Sequence, residues 1–350
     1  MSTQGPLSAP VDSGTVRPQP DPASATDRPR ALVTRAGLAD RLFLLVARSG
    51  GAFVLLVMVS LGGYLALRAS DALGTAGLSF LTTESWNPDA GHGHFGIAAV
   101  LTGTVLIGGI AVSLALPMAL GSALYISEYA PRRLKRTLIG LVDLMAAVPS
   151  VVYGLWGFVL LQYKLAGLAR WVSEYLGWIP LLRVTGADPD DPLNPPTLYV
   201  ASSAMAGTVV AFMITPIMCS IMREVFDQAP PGEREGAYAL GATRWGMIRS
   251  VVLPFGRGGV IGGTMLGLGR ALGETITVYL ILSMHFEIRL HVLQTGGSAV
   301  APLIALRYGD SSPFAISALM AAGLSLFLLT LVVNFAAAAV VARSRSGAAS

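Results

Sequence analysis

Apolar residues along this chain do not alternate with polar ones. They come in long unbroken runs parted by short polar stretches. A membrane-crossing helix needs about 20 consecutive, mostly apolar residues. Six segments reach that length: 43–67, 97–127, 138–163, 198–222, 257–284 and 314–342. The second and fifth are long enough to tilt or to extend past a bilayer. The pattern predicts an all-α polytopic membrane protein with six transmembrane helices. Pro117, Pro149 and Pro216 interrupt spans two, three and four. Within span three, Pro149 frees a backbone carbonyl and predicts a kink beside Ser150 and Tyr153. Kinked membrane helices line protein-facing cavities, so these two side chains are candidates for a substrate pathway; a purely structural kink is the alternative.

The stretches between the runs set the organisation. Residues 1–37 are rich in Pro, Ser, Asp and Ala and lack apolar periodicity, so a disordered tail is expected. The membrane domain covers 38–343, and 344–350 form a second short tail. The outer loop 68–96 holds His92 and His94, but no carboxylate or cysteine pattern accompanies them, and a plain turn is expected. The loop 164–197 starts amphipathically and carries Trp171, Tyr175 and Trp178, which suits an interfacial helix. It continues into Asp188-Pro189-Asp190-Asp191-Pro192, which lacks the spacing and glycine of a calcium loop and reads as a proline-rich turn. The one long inner loop, 223–256, suits two short helices bent around Gly241. Such helices either lie on the membrane surface or present a face to a cytoplasmic partner, and composition alone leaves both open.

Composition excludes a soluble domain. Mean hydropathy is +0.63, 53% of residues are hydrophobic and 13% are charged, against about 25% charged in soluble proteins. With the N-terminus inside, 17 of the 24 Lys and Arg residues lie in inner segments and six in outer ones. By the positive-inside rule both termini are then cytoplasmic. The pI near 9.4 reflects those flanks and does not imply nucleic-acid binding. The single cysteine, Cys219, lies in span four and reads as a buried apolar thiol. The only lysines, Lys135 and Lys164, follow no glycine-rich phosphate loop, so the chain has no ATPase motif of that type. No metal-ligand spacing and no catalytic triad are present in the sequence.

The remaining basic residue, Arg270, falls inside span five with Glu274. With about 100° per residue and Gly259 at zero, Gly263 falls at about 40°, Gly267 at about 80°, Arg270 at about 20° and Glu274 at about 60°. On a continuous helix the glycines and both charges share one face, and the charges are an i,i+4 pair. Small residues allow close helix approach, so this face is expected against another helix. Two readings follow: an internal ion pair that locks packing, or an arginine that helps an anion across with Glu274 limiting how tightly it is held. Charges within a membrane are costly and suggest function by default. The hydroxyls of Thr275 and Thr277 would either add donors to an oxyanion or bond their own backbone.

Several motifs resemble a known family. Glu235-Gly236-Ala237, then Gly241, then Val251-Val252-Leu253-Pro254 resembles the cytoplasmic loop of ABC importer permeases, with Gly236 and Val251 in place of the usual alanine and isoleucine. Trp86-Asn87-Pro88 with Phe95-Gly96, Ser127-Glu128-Tyr129-Ala130-Pro131, the run PSVVYGLWG at 149–157 and GLGRALGET at 267–275 are similar to the PstC-type permeases of phosphate importers. The resemblance covers about residues 38–343. It implies a type I ABC importer permease fold with a cytoplasmic coupling helix, in a bacterial inner membrane. It implies a PstA-type permease beside this one, two PstB-type ATPase subunits, a PstS-type phosphate-binding protein outside and a PhoU-type regulator. Glu235, Ala237, Gly241, Leu253 and Pro254 would then belong to the loop seated on the ATPase. ATP and Mg would be used by that partner, and no cofactor is expected on this chain. Competing readings are a permease for sulfate or molybdate, an ion-coupled secondary transporter, and a membrane scaffold. The second would show paired interrupted helices, which the sequence does not clearly display.

Overall fold

The computed structural model describes residues 37–89, 95–186 and 195–346. The expected tail at 1–36, the turn at His92 and His94, the proline-rich turn at Asp188–Pro192 and the last four residues lie outside them. The chain divides into two compact units, residues up to Val57 and Met58–Ser350. The described part of the first is the opening of α1 (Leu38–Arg68), a continuous helix with no buried residue.

The second unit is built from helices. α2 (Ser70–Ala76) precedes α3 (Ala98–Leu124), which runs into a π turn at Tyr125–Tyr129. α4 (Arg132–Ala147) is followed by α5 (Ser150–Trp156), a π turn at Gly157–Leu161 and α6 (Gln162–Leu176), the last three continuous. α7 (Ser203–Asp227) leads to two short helices, α8 (Pro231–Ala239) and α9 (Arg244–Met247). A π turn at Ile248–Val252 joins α9 to α10 (Leu253–Leu272), and α11 (Ile276–Ile281), α12 (Val300–Arg307) and α13 (Pro313–Ser346) complete the chain. Among the described residues only isolated β-bridges occur, at Ser202, Met284 and 295–297.

Among the described residues, six helical segments are long and apolar enough to cross a membrane. α7 is the core helix: 67% of its most apolar window is buried, against 44% for α3. Ala111, Ala115, Ala119 and Ala123 form an i,i+4 row of fully buried residues on α3, and α7 packs along α3. Small side chains let the two backbones close up without lipid between them. Cys219 sits in α7 at 1% exposure, the buried thiol expected from the sequence.

Two spans differ from the expected bounds. The third runs Ser150–Leu176, not 138–163. Val148 and Pro149 are both extended, with ψ of 130° and 141°. Proline supplies no N–H and pushes its predecessor out of the helical region, so the expected kink is a complete break. Leu138, Ile139 and Val142 look like the start of the span but form the core-facing stripe of amphipathic α4. The expected interfacial helix from residue 164 is instead the second half of the same span. Its charged Arg170 pairs with Glu174 at 2.7 Å. The fifth span covers Arg244–Leu272 and stops twelve residues short of the expected 284.

Candidate functional site

The stop at Leu272 rearranges the charged pair. Gly273 closes α10, its N–H bonding the carbonyl of Gly269. Glu274 therefore lies in the gap and not on α10. Its carboxylate caps α11, with Oε1 3.3 Å from Thr277 N and 3.0 Å from Thr277 Oγ1. Glu274 is 9% exposed and Thr277 fully buried. The i,i+4 ion pair expected from a continuous helix does not form: no ion pair joins Arg270 to Glu274 among the described residues.

The second gap lies against the first. Thr277 Oγ1 is 3.0 Å from the carbonyl oxygen of Ser150, at the start of α5. Tyr153, one turn further on, sends its hydroxyl back across the α4–α5 break to the carbonyl of Met145 at 3.0 Å. That carbonyl also accepts from Val148 N at 3.3 Å, at the end of α4. Tyr153 thus stitches the break with its hydroxyl on backbone, while the Ser150 carbonyl accepts from the Thr277 side chain on α11. Thr275 Oγ1 also bonds backbone, 3.3 Å from the Gly273 carbonyl. The two breaks differ in kind: α4–α5 precedes the third span, whereas α10–α11 ends the fifth, so they are not a pair of interrupted spans.

Arg270 is left free. It is exposed and has no hydrogen bond or ion pair among the described residues. With Ile217, Gly262, Met265, Leu266, Gly269 and Asn334 it lines an open cavity of about 510 Å³. The glycines 259, 263 and 267 face α7, where an added methyl would meet Val225, Met222 and Met218, so their partner helix lies within this chain. Arg270 nevertheless stays exposed and shares the cavity with Leu266. Asn334 is the residue sequence reasoning missed. It is exposed on α13, and its signal was available as a lone amide among apolar neighbours.

A second candidate surface is the inner loop. Pro231 opens α8, and Gly241, at φ +84°, turns the chain into α9. That left-handed conformation favours glycine. Thr243 caps α9, its Oγ1 accepting from Gly246 N at 3.1 Å. The bend expected around Gly241 is present. Glu235 is exposed, Ala237 is half-buried against the core, Leu240 is 91% exposed and Trp245 is 56% exposed. Leu253 and Pro254 begin α10, with Leu253 packed on the core.

Residues 111–346 match the family model of binding-protein-dependent transport system inner membrane components. Phosphate transport system permease protein PstC 2 of Mycobacterium tuberculosis (strain ATCC 25618 / H37Rv) is 38% identical over 310 residues, 88% of this chain and 93% of that protein. Phosphate transport system permease protein PstC of Xylella fastidiosa (strain 9a5c) is 36% identical over 309 residues, 88% of this chain and 92% of that one. In fold, the chain is similar to a bacterial alginate ABC transporter crystallised with an alginate-bound periplasmic protein, at a TM-score of 0.54 and 16% identity over 85% of this chain and 93% of that one.

Proposed function

The chain belongs to the family of binding-protein-dependent transport system inner membrane components, and we infer from this that it is the PstC-type permease subunit of an ATP-driven phosphate importer. The observation that carries the reading is the match to PstC phosphate permeases along 88% of the chain. It is a multi-pass membrane protein that works with a second permease, an ATPase and a binding protein. We further propose that these partners are a PstA-type permease, two PstB-type ATPase subunits and a PstS-type protein outside, with both termini in the cytoplasm. ATP and Mg are then handled by the ATPase, since no phosphate-binding loop occurs in this sequence.

In this reading Arg270 is the cation met by the anion in transit. Stripping water from a charged oxyanion is costly, and a guanidinium fork matches phosphate geometry. A guanidinium without a carboxylate partner offers its donors undiminished. Glu274 serves differently from a counter-ion: its carboxylate holds the start of α11 and so fixes where the gap beside Arg270 opens. Asn334 adds an amide to the same cavity. Pro254 joins the coupling loop to α10, so a push on α8 and α9 reaches Arg270 along one segment.

The deciding experiment is ATP hydrolysis by the purified complex in lipid. Phosphate-loaded binding protein is expected to stimulate it, and sulfate- or molybdate-loaded samples are not. Equal stimulation by sulfate would point to a general oxyanion permease. Uptake that persists without the ATPase would sink the ATP-driven reading.

A further inference from the structure

The coupling loop does not hang from α10 alone. Arg234, in the middle of α8, reaches two other helices at once. Its Nη1 is 3.0 Å from Glu128 Oε1, and its Nη2 donates to the carbonyl of Phe226 at 2.6 Å. Glu128 belongs to the π turn that ends span two, and its side chain is 4% exposed. Phe226 is fully buried near the end of α7, and its ring lies against Gly256, at the start of α10.

Further polar contacts brace this point. Ser127 Oγ lies 2.9 Å from both Glu128 Oε1 and Asp227 Oδ1. Lys135 of α4 holds Asp227 at 2.8 Å, and Arg244 of α9 stands over the Tyr129 ring at 5.3 Å. The Lys135–Asp227 pair is about one-third exposed, and such pairs contribute little. The Glu128–Arg234 pair is different. Removing either partner strands a charge that is mostly shut off from water, and that is strongly unfavourable. An arginine fork shared between a carboxylate and a carbonyl on separate helices also fixes direction, which a lysine does not.

We propose that the Glu128–Arg234 pair is a force-carrying joint, which delivers displacement of α8 to spans two and four in parallel with the backbone route through Pro254. Glu128 and Arg234 are positioning residues here, and the inference rests on the reading that α8 docks on the ATPase. A covalent route alone would move α10 against a static bundle. With the joint, the ends of α3, α7 and α10 are gripped together and move as a block. The run Ser127-Glu128-Tyr129 thereby gains a role that its sequence alone does not reveal.

The test is the ratio of phosphate transported to ATP hydrolysed in the reconstituted complex. Mere loss of folded complex lowers both numbers together and leaves the ratio unchanged. A loosened joint lowers the ratio. Glu128→Gln and Arg234→Lys are expected to lower it about tenfold, the effect of losing one charge-assisted contact of roughly 1.4 kcal/mol. The exchanged pair E128R/R234E is expected to recover part of it. Ser127→Ala, which removes only the bracing hydroxyl, is expected to lower the ratio less, and it decides the matter if the charge variants fail to assemble. An unchanged ratio in the assembled charge variants, or in Ser127→Ala when they do not assemble, overturns the joint. A wild-type complex without phosphate-stimulated hydrolysis overturns the permease reading instead.

Discussion

The Thr277 hydroxyl lies 3.0 Å from the carbonyl oxygen of Ser150, and this contact ties the gap after α10 to the gap before α5. Glu274 Oε1 is equally near that hydroxyl, but it also accepts from Thr277 N. The single hydroxyl proton is therefore best used on Ser150. Thr277→Val keeps the side-chain volume and removes the tie. It is expected to cost about 1 kcal/mol, the scale of interhelical side-chain bonds in membranes. Thermal unfolding of the purified complex measures it, and unchanged stability would mean the two gaps are independent.

No ion pair joins Arg270 to Glu274 among the described residues, so their variants should not compensate. Arg270→Gln is expected to cut phosphate uptake tenfold or more, roughly the effect of 1.4 kcal/mol or greater, with assembly intact because no partner is stranded. Glu274→Gln retains an acceptor oxygen and is expected to change uptake less. In the double variant the interaction energy should stay below about 0.5 kcal/mol, as for uncoupled sites. Restoration of uptake by the double variant would reinstate the ion pair.

Asn334 gives a sharper probe of the cavity than Arg270 itself. Asn334→Asp places a carboxylate in the space that Arg270 lines, repelling the anion and occupying the guanidinium. Uptake is expected to fall about tenfold, since each 1.4 kcal/mol of lost attraction is worth that factor, while Asn334→Leu falls less. Transport measured in vesicles with equal protein decides this, and equal rates for all three would remove Asn334 from the pathway.

Close packing between α10 and α7 predicts unequal tolerance at two glycines. A methyl at Gly259 would meet Val225 Cγ2 at 2.5 Å, and one at Gly267 would meet Met218 Sδ at 2.6 Å. Valine is stiff at χ1, whereas methionine is unbranched and shifts easily. Gly259→Ala is therefore expected to destabilise by about 1–3 kcal/mol and Gly267→Ala by clearly less. A reversed order in thermal stability would contradict the packing.

The number of spans was legible because apolar runs of sufficient length have few other uses. Their ends were less so. Gly273-Glu274-Thr275 interrupts an apolar run by only three residues, and a wheel drawn through it assumes the helix it was meant to test. The signal for a break was present: a glycine after the last helical turn, then an acid three residues before the N–H that it caps. Near Pro149 the apolar stripe of α4 merged with the start of α5, and hydropathy cannot separate a stripe from a span. The bend at Gly241 was readable because its cause is local. The Arg234–Glu128 pair and the cavity lined by both Arg270 and Asn334 bring together residues far apart in the chain, and no local pattern announces them.

Cys219 has a practical consequence. As the only thiol in the chain, shut inside the bundle at 1% exposure, it is hidden from water-soluble maleimides. Native protein can thus serve as its own unlabelled background. A single dye attached through Leu240→Cys, at a position 91% exposed on the loop, would report when that loop is covered and uncovered during turnover, with no prior removal of the native cysteine.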